Sequence, residues 1–482
     1  MIKPELKDIT VRKAYATFLF PFAFQVKRQK ELMKELQDDG FILFNIEDKE
    51  LQDKFYGKGV EIVHEELDQY FLPYIEDKLF PSTKERRGFL RYSKEFKEEL
   101  VWYRKKEKMI FHVNSMDITL CPFGIGIVTV RVELKDEIYS LSGVLDFISH
   151  FRVLEPKLKE EKDNRILAEE REMATTHELI MEHLFNPLKS FIIKNNKLTG
   201  YYGSLPFFED ERMLSSAFII ADDQEEITSE HLYRISRLDG KTLEGEPYIS
   251  SNNIEYIEHY VKERTYYRWA PFTYQIFSEN SQMTISIKDR EELEQEIATF
   301  MSTHYYNLLL HYYYKIMLLR LSFEHSELTW VKDREYVKEL TERISKFYSR
   351  YFFGEVSSRS EGKEISALLR KSFQLDSLFG EVSNTVNDLY RAQSNQTNAR
   401  QNALLFMLTV YTVISGIYGM NLVIEDWKDL TDWSQVPGYS FFEWVALITA
   451  ISGIGIAVIL LFISGWSGAR SKYRKWKRSR QI

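Results

Sequence analysis

The sequence predicts an α+β cytoplasmic domain followed by long helices and two transmembrane helices. Three observations predict it. Strand-like and helical patterns mix over residues 1–286. Apolar residues recur at helical spacing from residue 363 onward. Two runs near the C-terminus, 401–424 and 444–469, hold no charged residue. At 482 residues the chain has room for two or three domains.

Within 1–286, residues 41–46, 109–113, 118–121, 125–132 and 217–221 read as strands, and Gly124 with Gly126 marks a bend. The apolar stretch 14–26 follows a mixed-charge start and contains Pro21, so it reads as a strand or loop and not as a secretory segment. Helical spacing fills 60–78, 139–151 and 165–192. Residues 287–362 read as a helical hairpin, 287–321 and 328–352, opened by Ser286 and Asp289 in the manner of a capping box and closed by a Ser- and Gly-rich turn. From 363 to 424, Ile365, Leu368, Leu369, Phe379, Val382, Val386 and Leu389 keep three- and four-residue steps, weakened only at Gly380. Such a stalk helix would be about 90 Å long, with its last part, near 401–421, forming the first span. An acidic loop at 425–442, a second span at 443–466 and a basic tail at 467–482 complete the chain.

The net charge of −8 conceals an asymmetry. Seven cations and no acid follow Ser464, which leaves −15 for everything before it. An acidic body with a basic tail excludes a nucleic-acid binder and suits a protein that handles cations. The single cysteine, Cys121, excludes an internal disulfide framework and fits a reducing compartment. Aromatic residues make up 15% of the chain, and clusters such as Tyr305, Tyr306, Tyr312, Tyr313 and Tyr314 read as packing residues.

A bilayer core about 30 Å thick needs roughly 20 helical residues, so each uncharged run is long enough for one crossing. The connecting loop carries Glu425, Asp426, Asp429 and Asp432 against Lys428 alone, while the tail is basic. Positive residues stay in the cytoplasm, so both termini are expected inside and the acidic loop outside, in an inner or plasma membrane. The second run is rich in Ile, Val and Leu and reads as lipid-facing. The first places Leu405, Thr409, Thr412 and Gly416 on one helical face, extended by Asn402, Asn398 and Asn395. A polar and small-residue stripe of this kind reads as a pore wall.

Enzyme chemistry finds little support. His177 and His183 bracket a string resembling a zinc-protease motif, but they stand six residues apart and not four. His304 and His311 lie two turns apart. No phosphate loop is present, and Gly124-Ile125-Gly126 lacks a third glycine. The chain therefore reads as no enzyme.

At the end of the first uncharged run stand Tyr418, Gly419, Met420 and Asn421. Magnesium is small and sheds its waters reluctantly, so a path for the hydrated ion needs neutral acceptors and not carboxylates that would trap it. A ring of Asn421 amides could supply them. Gly419 permits close backbone approach, Tyr418 can anchor at an interface, and the acidic loop would concentrate divalent cations.

With this string and its setting, the chain resembles the CorA family of magnesium channels, closely over residues 363–482 and only in general character before residue 287. The resemblance implies a CorA-like funnel, a homopentamer in a lipid bilayer and passive, potential-driven magnesium influx. It further implies Asn421 as the filter amide, Thr412 and Gly416 lining the pore, and gating by intracellular magnesium, with no organic cofactor. Leu405 is the candidate constriction. Regulatory acidic residues have no motif to match, and Glu361 with Glu364 are the candidates. Two alternatives stand beside this reading: a zinc, cobalt or nickel transporter of the same fold, as in the related ZntB branch, and a non-conducting two-span sensor.

Overall fold

A computed structural model describes residues 6–419 except 47, 49–50, 52–53, 58–59, 61, 63–66, 68, 82–87, 106, 136, 159–160, 169–170, 194–211, 289 and 327–333; beyond 419 it describes residues 438, 440–442, 444–445, 448 and 451–452. The chain divides into two units, Met1–Glu327 with Arg343–Val382, and Leu328–Glu342 with Ser383–Ile482.

The first unit is α+β. Its strands are β1 (Thr10–Ala23), β2 (Ile42–Leu43), β3 (Leu90–Arg104), β4 (Glu107–Cys121), β5 (Ile125–Leu134), β6 (Tyr139–Ser140), β7 (Asn164–Leu167), β8 (Glu172–Met173), β9 (Leu214–Ala221), β10 (Thr265–Tyr266), β11 (Thr273–Phe277) and β12 (Ser281–Ser286). They join into one 12-stranded mixed sheet in the order β10-β11-β12-β9-β1-β5-β4-β3-β7-β8, with β2 on β3 and β6 on β1. Pairing is antiparallel except between β12 and β9. Both faces of β1 are covered, which explains the unbroken apolar run that begins at Ala14. The β4–β5 bend is tight: Phe123 and Gly124 both have positive φ, and a Cβ on Gly124 would lie 2.6 Å from the Phe24 carbonyl oxygen.

One sheet face packs against α3 (Leu141–Phe151), whose Phe151 ring lies 4.7 Å from Phe18. Helices α1 (Gln29–Asp38) and α2 (Pro73–Leu79) precede it. Ser140 caps α3 by accepting from the Gly143 amide, and Thr228 and His231 form a capping box on α4 (Ser229–Arg237). Helix α5 (Ile254–Arg264) follows. The opposite sheet face is covered by α6 (Arg290–Thr299) and, after one wider turn at Phe300–His304, by α7 (Tyr305–Ser326). Tyr305 of α7 bonds Thr129 of β5, and the Tyr313 ring meets Phe89 edge-on.

Helix α8 (Arg334–Arg350) leads to α9 (Ser360–Ser372) and α10 (Leu375–Gly419). The helix expected to run without a stop from residue 363 is interrupted at Gln374, which has φ of 54°. The residues on either side of the break, Phe373 and Leu375, are both buried.

The membrane expectations are corrected. Among the described residues no helix is long and apolar enough to cross a membrane. The physical reason lies in α10. Its described uncharged stretch, 401–419, opens with Gln401 and Asn402 and carries Thr409 and Thr412 along it, polar residues that dilute its apolar character. Of the second run, 444–469, only five residues are described. The two transmembrane helices, the CorA-like membrane funnel, the ion-channel description and the multi-pass placement in an inner or plasma membrane are therefore withdrawn. What stands is an α+β fold around a large mixed sheet.

Candidate functional site

The seven residues of the proposed stripe all lie on α10. Asn398, Asn402, Leu405, Thr409, Thr412 and Gly416 are exposed, and Asn395 shares their face by spacing. The Thr409 hydroxyl donates to the Leu405 carbonyl at 2.7 Å, and the Thr412 hydroxyl to the Leu408 carbonyl at 2.8 Å. With those donors spent on the backbone, each hydroxyl presents lone pairs outward. Helix α10 reaches Tyr418 and Gly419, where its described part ends. Met420 and Asn421 lie outside the described residues, as do Glu425, Asp426, Asp429 and Asp432.

Around the stripe the helix is apolar on every side. Leu404, Leu405, Phe406, Met407 and Leu408 are consecutive and all exposed, with Phe406 71% accessible. Val410, Tyr411 and Val413 continue the surface. Consecutive residues point in all directions around a helix, so this is not one amphipathic face but a helix that the described residues leave uncovered.

Glu361 and Glu364 stand on α9. Glu361 accepts from His304 Nε2 at 3.0 Å, and His304 stacks on Trp269. Burial works to raise the Glu361 pKa, but the His304 bond and the charges of Arg268 and Arg359 hold it below the usual carboxylate range. Glu364 lies 4.0 Å from Arg268. Each carboxylate thus already faces a protein partner, and among the described residues no group of three or more His, Cys, Asp or Glu could hold a metal ion. His183 meets Glu98 at 2.7 Å, and His311 is buried elsewhere on α7, so the histidine pairs form no shared centre.

Sequence reasoning missed a buried charge cluster in the middle of the sheet. Arg91 of β3, Asp117 of β4 and Arg131 of β5 sit side by side beneath α7, each 4% accessible or less. Adjacent antiparallel strands put them on one face. Arg91 Nε lies 2.9 Å from Asp117, which Arg131 also contacts. Burial would raise the Asp117 pKa, but the two guanidinium groups pull it below its ordinary value. The rings of Tyr56 and Tyr305 lie over Arg131, and Tyr56 and Tyr306 accept from Arg91 Nη1 at 2.8 and 2.6 Å. Of the three, only Arg131 fell inside a strand-like run, 125–132, and a charged residue there does not by itself show what lies across from it.

No protein-family model matches the chain, and neither a curated protein nor a solved structure matches it, so the comparisons place it in no family.

Proposed function

We infer that the chain serves divalent-cation transport, with magnesium as the first ion, acting as an assembly of copies gathered around α10. The observation that carries this reading is the long α10 itself. It runs for 45 residues into the Tyr-Gly-Met-Asn string, bearing an aligned row of neutral acceptors inside an otherwise apolar, uncovered surface. An apolar helix surface of that extent calls for a partner, and identical helices offer one to each other. Gathered copies would turn Asn402, Thr409 and Thr412 toward a shared axis. Their lone pairs suit the water shell of an ion that keeps its hydration, and Asn421 would supply the amide ring at the end. The reading rests on the assembly, because no helix among the described residues is by itself long and apolar enough to cross a bilayer.

The test is magnesium uptake by cells that lack their own importers and express this chain, with Asn421→Ala beside it. Uptake by the wild type that falls at least tenfold in Asn421→Ala supports the reading. Equal uptake by both, or none by either, overturns it. Running zinc, cobalt and nickel in parallel separates magnesium from the second reading, a transporter of those ions, which the same neutral acceptors also suit.

A further inference from the structure

The Arg91–Asp117–Arg131 cluster carries two cations and one carboxylate, so it holds one buried positive charge in excess. A buried net charge is costly unless something answers it.

Donor counting points the same way. A guanidinium has five N–H groups and no acceptor. Arg91 spends Nε on Ser93 and Asp117, both Nη1 hydrogens on Tyr56 and Tyr306, and one Nη2 hydrogen toward Asp117 at 3.4 Å. One Nη2 hydrogen is left. Among the described residues, Arg131 Nε and Nη2 have no hydrogen-bond partner. Because Tyr56 and Tyr306 accept from Arg91, their own hydroxyl protons remain to be given, and no acceptor for either stands among the described residues. The cluster is thus rich in donors, short of acceptors and one charge too positive.

A cavity of about 120 Å³ reaches this cluster at Arg91 and at its neighbour Tyr306; Asp117 and Arg131 do not line it. Arg91 and Tyr306 form its polar end, while Leu79, Phe80, Phe89 and Leu90 are among its apolar walls. Phe80 meets the Tyr306 ring edge-on at 4.7 Å, and Phe44 lies over the Arg91 guanidinium at 4.4 Å. We propose that this cavity binds a small organic monocarboxylate, its carboxylate on Arg91 and the Tyr306 hydroxyl and its hydrocarbon body between Phe80, Phe89 and Leu90. One excess charge matches a monoanion and not a dianion. The apolar walls favour a carboxylate carrying a hydrocarbon body over a bare inorganic ion. Such a ligand would give the remaining Arg91 Nη2 hydrogen and the Tyr306 hydroxyl an acceptor and would place a negative charge beside the cluster.

Benzoate titrated into the purified full chain, read by calorimetry and by thermal unfolding, tests the site. Benzamide, of nearly the same shape without charge, chloride and inorganic phosphate serve as comparisons. Benzoate should bind saturably and raise Tm, and the other three should do neither. Tyr306→Phe removes one hydrogen bond to an anion and should weaken benzoate about tenfold, the factor that ~1.4 kcal/mol represents. Asn45→Asp places a negative charge in the cavity wall and should weaken it at least as much; it also serves if Tyr306→Phe does not fold. Benzamide, chloride or phosphate binding as well as benzoate overturns the proposal, as does benzoate affinity unchanged in the folded variants or no binding by the wild type.

Discussion

His311 is fully enclosed on α7, its Nδ1–H donating to the Asn307 carbonyl at 2.8 Å, and burial pushes its pKa down to about 4. Between about 6.5 and 4 the unfolded histidine takes up a proton that the folded one refuses. Stability is then lost as pH falls through that window, by up to roughly 3 kcal/mol for this residue. His150, His177 and His231 are shifted the same way by burial, so the informative quantity is a difference. Urea midpoints should fall less steeply from pH 6.5 to 4 in His311→Gln than in the wild type; parallel slopes would contradict the assignment. A second residue-scale expectation concerns Asp117. Asp117→Asn leaves two buried guanidinium groups facing each other with no anion, and denaturant unfolding should show a loss of about 3–5 kcal/mol. Gly126 is fixed sterically: a Cβ there would fall 2.1 Å from the Phe22 ring, so Gly126→Ala should cost about 1–3 kcal/mol by the same measurement.

At the scale of elements, the break between α9 and α10 makes its own prediction. Gln374 holds a left-handed conformation that glycine adopts freely, so Gln374→Gly should leave stability unchanged or raise it by up to about 1 kcal/mol, while a β-branched residue should lower it. This break was not legible because no Gly or Pro marks it, and Gln374 gives no sign in the sequence of its left-handed conformation. Strands β4, β5 and β9 were legible from β-branched runs around Ile118, Ile125 and Ile219. Strand β3 was not, because Lys94, Glu95, Lys97, Glu98 and Glu99 occupy its middle, where side chains are largely open to water. Residues 165–192 carry helical spacing, and Thr176–Leu184 and Asn186–Ser190 are helical, but Ile166 and Met173 pair across β7 and β8. At the candidate site, the α10 stripe was read from spacing alone. The buried cluster escaped because a charged residue inside a strand gives no sign, by itself, of what lies across from it.

For the whole molecule, the unresolved physical demand is the apolar surface of α10. Five consecutive apolar residues, Leu404–Leu408, stand in solvent in the single chain, together with Val410 and Val413. Burial of apolar surface is worth about 25 cal/mol per Å², so copies meeting along this helix gain several kcal/mol for a few hundred Å². The double substitution Leu405→Glu with Phe406→Glu should dissociate the assembly and abolish cation uptake while leaving the α+β unit folded by circular dichroism. The most direct measurement of the central claim is the mass of the purified full chain by light scattering, wild type beside that double variant. The account predicts a closed assembly of several copies for the wild type and smaller species for the variant. A wild type that stays monomeric at every concentration would contradict it.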